Sequence, residues 1–168
     1  MKNSKNLLIL LLLLVPALSF TQVQVMPSLS VGYMNHLGRN GYNGEVGVNF
    51  ELFQRIDISP SFRISNMDSA NPNNEVSIRA GSVFVSYVLI RNGRYRILAG
   101  PGFSFGSYRR LTEGIGFERF YNDAWFNPIK LRYEYKVNQE LRVGFDATLY
   151  GDDVEGSTYL GFIIGYII

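Results

Sequence analysis

Apolar and polar residues alternate along most of the chain from Pro27 onward. Successive side chains of a β-strand point to opposite faces, so this period of two predicts strands that each have one apolar and one polar face. From Pro27 onward, no apolar residues recur at spacings of three and four for long enough to predict a helix. The alternation is clearest in four segments, at residues 45–52, 56–65, 129–137 and 141–150.

Four weaker segments complete a predicted set of eight strands, at residues 28–33, 76–90, 95–105 and 160–168. The alternation in segment 76–90 begins with Arg79 on the polar face, and both faces then become apolar at residues 83–85. A β-bulge at residues 83–85 would account for this change. The phase of this strand beyond Gly81 is therefore left open.

Two prolines interrupt the predicted strands. Pro60 lies in the middle of segment 56–65, and Pro101 lies within segment 95–105. Proline has no N–H group to donate to a neighbouring strand. A bulge or kink is therefore predicted at Pro60, and Pro101 raises the same expectation.

The connections between the predicted strands alternate between short and long. The Asn92-Gly93 pair is a strong signal for a two-residue hairpin turn. Short turns are predicted at 54–55, 92–93 and 138–139, and longer polar links at 35–42, 66–74, 107–124 and 151–156. This layout predicts an all-β fold, an eight-stranded antiparallel up-and-down transmembrane β-barrel. Both ends of the barrel chain then lie on the short-turn, periplasmic side.

The chemistry of the two strand faces indicates which face points inward. The apolar faces of the clear strands hold no charged residue and many aromatic ones, whereas the opposite faces mix Gly and Ser with charges. A closed barrel satisfies its backbone groups in lipid, and eight strands enclose a space that side chains can fill. We therefore assign the charged faces to a paired, side-chain-filled interior. The predicted interior residues are Glu45, Glu51, Asp57, Arg63, Arg79, Arg96, Lys130, Arg132, Glu134, Lys136, Arg142 and Asp146.

The reverse assignment defines an alternative class of protein. In a soluble barrel or sandwich, the charged faces would point to water and the apolar faces inward. That alternative predicts a secreted soluble β-barrel that binds a small apolar ligand. Aromatic residues near the strand ends favour the membrane assignment, because such rings form girdles at membrane interfaces. These residues are Tyr33, Tyr42, Phe53, Tyr95, Phe105, Tyr108, Trp125, Tyr135, Tyr150 and Tyr166.

The first 21 residues have the features of a secretory signal peptide. Lys2 and Lys5 precede an apolar run that is too short to span a bilayer as a helix, and small residues allow cleavage after Ser19 or after Thr21. The predicted domains are thus a signal peptide at 1–21 and a barrel at 22–168. The whole chain has 16 Lys and Arg against 14 Asp and Glu, but the two leader lysines account for the excess. Without the leader the chain has no net charge, which does not indicate a nucleic-acid partner. The chain has no Cys, so it forms no disulfides.

The last predicted strand carries a family resemblance. Residues 160–168, Leu-Gly-Phe-Ile-Ile-Gly-Tyr-Ile-Ile, alternate apolar or aromatic residues up to the end of the sequence. With the leader and the eight-strand layout, the chain resembles the small eight-stranded outer-membrane barrels of the OmpX and OmpA-transmembrane type. The resemblance implies a protein inserted in the outer membrane, and it implies no single biochemical activity. It also implies that the barrel-assembly machinery recognises Phe162, Ile164, Tyr166 and Ile168, where Ile168 replaces the usual terminal Phe.

The third predicted outer loop is the best candidate for binding a partner. Residues 108–121 mix Arg, Glu and aromatic side chains, and Arg and aromatic residues are enriched at binding hot spots. The candidates are Arg109, Arg110, Phe117, Arg119, Phe120 and Tyr121. Two alternatives are that the arginines pair with lipopolysaccharide phosphates, and that the strands continue past the membrane.

Catalytic chemistry has little support in the sequence. His36 in the first outer loop, with Asp68 and Ser69 in the second, could supply a base and a nucleophile. An outer-membrane palmitoyltransferase of similar barrel size has its essential His, Asp and Ser in outer loops. This similarity implies an alternative function as a lipid-modifying enzyme, acting by acyl transfer or deacylation. The chain shares no recognisable spacing with that enzyme, and we predict no enzyme activity.

Metal and cofactor sites have equally little support. Residues 152–155 in the fourth outer loop offer carboxylates of the type that Ca²⁺ prefers, without the spacing of a calcium loop. No phosphate-binding loop or nucleic-acid motif is present, so no metal, cofactor or nucleic acid is predicted. The sequence thus predicts a monomeric outer-membrane barrel of a Gram-negative cell, with a structural or cell-surface interaction role and no turnover. Its predicted partners are outer-membrane lipid, including lipopolysaccharide, and an unidentified extracellular partner.

Overall fold

The computed structural model describes residues 23–36, 39–68, 76–112, 116–151 and 157–168. Within these ranges, no side chain is described at 36, 39, 68, 76, 108–112, 116–127 or 151. No helix among the described residues is long and apolar enough to cross a membrane. The predicted signal peptide lies outside the described residues.

Eight antiparallel strands form one closed barrel. Each strand pairs with the next along the chain, and β1 pairs with β8 to close the ring. The predicted fold class, an eight-stranded antiparallel up-and-down barrel, is confirmed. The strands are β1 (Gln24–His36), β2 (Arg39–Leu52), β3 (Ile56–Asp68), β4 (Val76–Asn92), β5 (Tyr95–Thr112), β6 (Gly116–Lys136), β7 (Leu141–Gly151) and β8 (Ser157–Tyr166).

Three tight turns join strands at one end of the barrel, which we call the short-turn end. Phe53 and Gln54, with φ of 52° and 59°, lie in the left-handed region between β2 and β3, and Gly93, with φ of 35°, lies between β4 and β5. Between β6 and β7, the side-chain oxygen of Asn138 accepts hydrogen bonds from the backbone N–H groups of Glu140 and Leu141 at 2.9 and 2.7 Å. Asparagine favours such turns because its side chain mimics a backbone acceptor.

The strands are longest where a long loop was predicted. β5 has 18 residues and β6 has 21, and together they occupy nearly all of the predicted link 107–124. The link predicted at 35–42 is also mostly strand, since His36 pairs with Arg39. These two loop predictions are wrong, and in the third loop the structure follows the alternative in which the strands continue. Alternation predicts a strand only where one face is apolar, so strands without it were missed.

The burial pattern along β4 shows that two predictions are wrong. Side chains alternate between buried and exposed without interruption from Ile78 to Val88, and Leu89 and Ile90 are then both exposed. The register with β5 shifts between Val88 and Ile90, so the bulge lies there and not at residues 83–85. Ile78 and Ala80 point inward, and Arg79 is exposed on the outer face. The interior assignment of Arg79 is therefore wrong.

The prolines interrupt strand pairing without causing bulges. On both sides of Pro60, β2 and β3 pair in one register, and the pairs resume beyond a gap of two residues. Pairing between β4 and β5 has a similar gap at Pro101, again with no change of register. The bulge predicted at Pro60 is absent, because losing one N–H donor can be accommodated by a local gap in the ladder.

Candidate functional site

Ten of the twelve predicted interior charges lie buried inside the barrel. Five are acidic and five are basic, so this group has no net charge. The two exceptions are Arg79, which faces outward, and Lys136, which is half-buried at the short-turn end. We call the ten the charged core: Glu45, Glu51, Asp57, Arg63, Arg96, Lys130, Arg132, Glu134, Arg142 and Asp146. They come from β2, β3, β5, β6 and β7, so β1, β4 and β8 contribute none.

Arg96 is the centre of the charged core near the short-turn end. Its Nη1 donates to Glu51 Oε2 at 2.6 Å, and its Nε donates to Glu134 Oε2 at 2.7 Å. Its Nη2 lies 3.5 Å from Asp57 Oδ2. Arg142 shares two of these carboxylates, at 3.5 Å from Glu51 and 3.4 Å from Glu134. Because Arg96 is on β5 and Glu51 on β2, the bond between them crosses the lumen, whereas Arg96 and Glu134 lie opposite each other on neighbouring strands.

A second group of ion pairs lies in the middle of the barrel. Lys130 Nζ on β6 donates to Glu45 Oε1 on β2 at 2.6 Å, again across the lumen. Arg132 donates to Asn49 Oδ1 at 2.6 Å and to Asp146 Oδ2 at 3.3 Å. Buried charges are tolerable only when they are paired and hydrogen-bonded, so this packing fills the lumen with mutually dependent side chains.

Arg63 is buried differently from the other bases. Its guanidinium lies 3.9 Å above the ring of Tyr150, a cation–π contact. Its Nε and Nη1 have no hydrogen-bond partner among the described residues, and the same holds for Oε2 of Glu45, its partner on the neighbouring strand. Arg63 therefore marks the boundary between the ion pairs and a more apolar region.

That apolar region lies beneath the ends of the strands that lead into the outer loops. Five buried side chains form it, which we call the apolar plug: Met34, Met67, Ile78, Tyr150 and Tyr159. Tyr150 is only 2% exposed, so its assignment to the outer aromatic girdle is wrong. The hydroxyl of Tyr159 is hydrogen-bonded to Ser30, which donates to Asp146 at 3.0 Å and so joins the plug to the charged core.

Two inward-facing glycines make room for aromatic rings in the lumen. A Cβ at Gly161 would lie 1.7 Å from the hydroxyl oxygen of Tyr159, and one at Gly102 would lie 2.4 Å from the ring of Phe84. The same Phe84 ring lies 3.9 Å beneath Lys130 Nζ. Glycine at these positions therefore allows large side chains to occupy a narrow interior.

The outer surface of the barrel is apolar. Large apolar side chains are exposed on all eight strands, and among the described side chains the outward positions near the loop end include Arg79 and Asn66. The predicted assembly signal lies on this face, with Phe162, Ile164, Tyr166 and Ile168 all exposed. Of the predicted girdle, Tyr33, Tyr42, Phe53, Tyr95, Phe105 and Tyr166 are exposed and Tyr135 is half-buried, while the side chains of Tyr108 and Trp125 lie outside the described set.

The predicted partner-binding residues lie on a long hairpin. Arg109 and Arg110 are in β5, and Phe117, Arg119, Phe120 and Tyr121 are in β6, with Arg109 opposite Arg119. Their side chains lie outside the described set. β6 pairs with β7 only from Asn127 onward, so residues 116–126 have no described strand partner on that side.

Two of the three candidate catalytic residues lie at strand ends, and their side chains lie outside the described set. His36 ends β1 and Asp68 ends β3, with β2 between these strands. Ser69 and the acidic segment 152–155 lie outside the described residues. Within the described part of the chain, no group of three His, Cys, Asp or Glu residues could hold a metal ion.

Known proteins resemble this chain in structure. Neisserial surface protein A superposes with a TM-score of 0.65 and 10% sequence identity, over 86% of this chain and 96% of that one. The N-terminal β-barrel domain of Pseudomonas aeruginosa OprF gives 0.60 and 14% identity, over 88% and 99%. Yersinia pestis Ail gives 0.58 and 11%, over 87% and 97%. The chain has the fold of the small eight-stranded outer-membrane β-barrels. No family model and no curated protein matches its sequence.

Within this outer-membrane barrel fold, sequence reasoning missed the apolar plug. Met34, Met67 and Tyr159 have the same phase as the buried polar residues of their strands, namely Ser30, Ser65 and Ser157. Counting by two from those serines would have placed them inside. These residues were missed because each side chain was assigned to a face by its polarity and not by its position along the strand.

Proposed function

We propose that the protein is an integral outer-membrane barrel with a closed interior, which acts at the cell surface through binding and not through turnover. One observation carries the proposal: the charged core is buried and the outer surface is apolar on all eight strands. Soluble proteins have the opposite arrangement, because burying charges and exposing large apolar surfaces are both unfavourable in water. In a bilayer, the same arrangement places apolar side chains against lipid.

The interior supports a role without conduction. Ion pairs from Arg96 and Lys130 cross the lumen, and the apolar plug fills the space beneath the outer loops. Water and ions would have to displace both layers to pass. In this proposal residues 1–21 are removed on export, residues 22–168 form the barrel, and the assembly machinery recognises the outward side chains of the last strand.

The long hairpin supports a surface interaction. The outer part of β6, residues 116–126, has unpaired backbone groups on the side away from β5 within the described residues. A free strand edge can bind an extended segment of another protein by adding a strand. The arginines and aromatic residues of this hairpin supply side chains that are frequent at binding hot spots. The structural neighbour Ail is named as an attachment invasion locus protein, a name consistent with such a role in that protein.

Gel mobility tests the membrane assignment. Outer membranes are extracted with detergent, and the protein is run with and without boiling. We expect faster migration of the unboiled form and no protein in the soluble fraction. Protein found free in the periplasm or the medium, with no mobility shift, would refute the assignment.

Hairpin truncation tests the surface interaction. Residues 110–120 are replaced by a two-residue Asn-Gly turn, which shortens the hairpin but keeps the membrane-spanning strands. We expect the barrel to fold and cells displaying it to lose adhesion to host-cell or matrix surfaces. The matched control replaces residues 70–74, between β3 and β4, and should keep adhesion. Equal adhesion by wild-type, truncated and control cells would remove the hairpin from the proposed function.

Lipid A analysis tests the absence of turnover. Mass spectra of lipid A from cells with and without the gene should be identical. A change in acyl content that is abolished by His36→Ala would favour the lipid-modifying alternative.

A further inference from the structure

Three basic side chains surround an opening at the short-turn end of the barrel. Arg91 lies near the end of β4, Lys136 ends β6 and Arg142 lies near the start of β7. A cavity of about 420 Å³ opens between them, and we call it the basic mouth. It is also lined by Val23, Gln24, Glu51, Gln54 and Ile168. A smaller cavity of about 100 Å³ shares the three bases and is also lined by Gly93, Arg94, Tyr95, Arg96 and Glu134.

The acids in this lining are shared among several bases. The carboxylate of Glu51 contacts Arg91, lies 2.6 Å from Arg96 and lies 3.5 Å from Arg142. Glu134 is likewise shared by Arg96 and Arg142, at 2.7 and 3.4 Å. Glu134 also lies 3.6 Å from Arg132, so two carboxylates serve four guanidinium groups.

Lys136 adds a charge that no acid offsets. Its Nζ has no hydrogen-bond or ion-pair partner among the described residues, while its backbone N–H donates to the carbonyl of Arg94 at 2.6 Å. Glu140, another acid at this end, accepts a hydrogen bond from Tyr166 at 2.7 Å and lines neither cavity.

The charge balance of the two cavities is positive. Their lining has five bases against two acids. Counting Asp57, which lies 3.5 Å from Arg96, still leaves an excess of two bases. Gln24 and Gln54 add amide donors.

We propose that the basic mouth binds a phosphate group. A phosphate presents several charged oxygens at once, which suits a forked guanidinium beside a compact ammonium group. Lys136 and the partly exposed Arg91 have N–H groups available to bind a ligand. Arg142 borders the cavity on the side of the barrel lumen. Such a group can come from a free phosphate or from a phospholipid headgroup. The inference does not depend on the surface role of the hairpin.

Calorimetry on the purified full chain tests this inference. The protein is held in a maltoside detergent without phosphate, and chloride keeps the ionic strength constant. One titration uses inorganic phosphate and the other uses glycerophosphoglycerol, a soluble phospholipid headgroup. We expect saturable binding of at least one probe, with Kd of about 1 mM or lower. Tighter binding of inorganic phosphate indicates a free ligand, and tighter binding of the headgroup indicates lipid.

Two substitutions with the same charge change separate the site from a general charge effect. Lys136→Gln should weaken binding about tenfold, since it removes a charge-assisted hydrogen bond. Arg55→Gln is the matched control: Arg55 lies on the turn between β2 and β3, is exposed, bonds the hydroxyl of Tyr87 at 3.2 Å and lines neither cavity. It should bind as the wild type does. Heat-modifiable mobility confirms that both variants fold.

Three outcomes would overturn the inference. The first is no saturable heat with either probe beyond that of chloride. The second is unchanged affinity in Lys136→Gln. The third is an equal loss of affinity in Arg55→Gln.

Discussion

The two ends of the barrel interior are filled in different ways. Toward the short turns, side chains from β2, β3, β5, β6 and β7 form ion pairs, some of which cross the lumen. Beneath the outer loops, the apolar plug fills the same cross-section with methionine, isoleucine and tyrosine. Ion pairs depend on exact partners and are costly when one partner is lost, whereas apolar packing depends on volume. The charged core therefore specifies which strands face each other, and the plug closes the lumen with little dependence on partners.

Removing one acid from the charged core should have the largest effect. Glu134→Gln leaves Arg96 and Arg142 with fewer charge partners in a buried site, and we expect a loss of about 3–5 kcal/mol in the free energy of unfolding. Urea unfolding in lipid vesicles, followed by gel mobility, measures it. The control is the double substitution Lys130→Met with Glu45→Leu, which removes a whole ion pair and should cost much less. A loss below about 1 kcal/mol for Glu134→Gln would show that the core is not held by its ion pairs.

Truncation within the plug should have a smaller effect. Met67→Ala removes buried atoms and leaves a cavity, for an expected loss of about 2–3 kcal/mol in the same assay. The control Met67→Leu conserves volume and should cost less than about 1.5 kcal/mol. Equal losses for the two variants would mean that the plug depends on partner identity, as the charged core does.

Replacing a glycine where the charged core meets the apolar plug should lower the free energy of unfolding less than Met67→Ala does. Gly161→Ala places a methyl group where the Tyr159 hydroxyl lies, so the ring must shift and its contact with Ser30 is strained. We expect a loss of about 1–2 kcal/mol. Gly81→Ala is the control, because its Cβ would meet nothing within 4 Å. If the two alanines cost the same, backbone entropy and not the Tyr159 ring sets the effect.

The smallest effect is expected at Arg79, which the sequence pattern placed inside. Because its side chain is exposed, Arg79→Gln should change the free energy of unfolding by less than about 0.5 kcal/mol. Arg96→Gln is the comparison variant. It removes the centre of an ion-pair cluster and should lower the free energy of unfolding much more than Arg79→Gln does. A large loss for Arg79→Gln would place this arginine in the interior after all.

The difference between the two regions also explains how far the sequence could predict the structure. Alternation and turn residues were sufficient for eight strands and for the position of ten charged side chains, because charge and phase coincide on β2, β3, β5, β6 and β7. Residue chemistry and strand phase no longer coincide at the apolar plug. Ile78 and Ala80 are apolar and inward, and Arg79 is polar and outward, so residue chemistry gave the wrong phase on β4.

Two other features lay beyond sequence reasoning for physical reasons. The outer part of the β5–β6 hairpin shows no clear apolar alternation in its sequence, so the pattern did not predict strands there. The basic mouth assembles from strand ends that are distant in the sequence, such as Glu51 on β2 and Lys136 on β6, and the curvature of the barrel brings these two to one cavity. Neither arrangement follows from local pattern.

The ion pairs that cross the lumen have a consequence for the order of assembly. Glu45 and Lys130 belong to strands four places apart, and Glu51 and Arg96 to strands three apart, so neither pair can form in a flat sheet. An open sheet in the bilayer would hold the partners of both pairs apart in hydrocarbon. We expect insertion and curling to be concerted, so fluorescence from lipid contact and the gel mobility shift should develop with one rate constant. We therefore expect the pairing of these charges to couple the curling of the sheet to its entry into the bilayer.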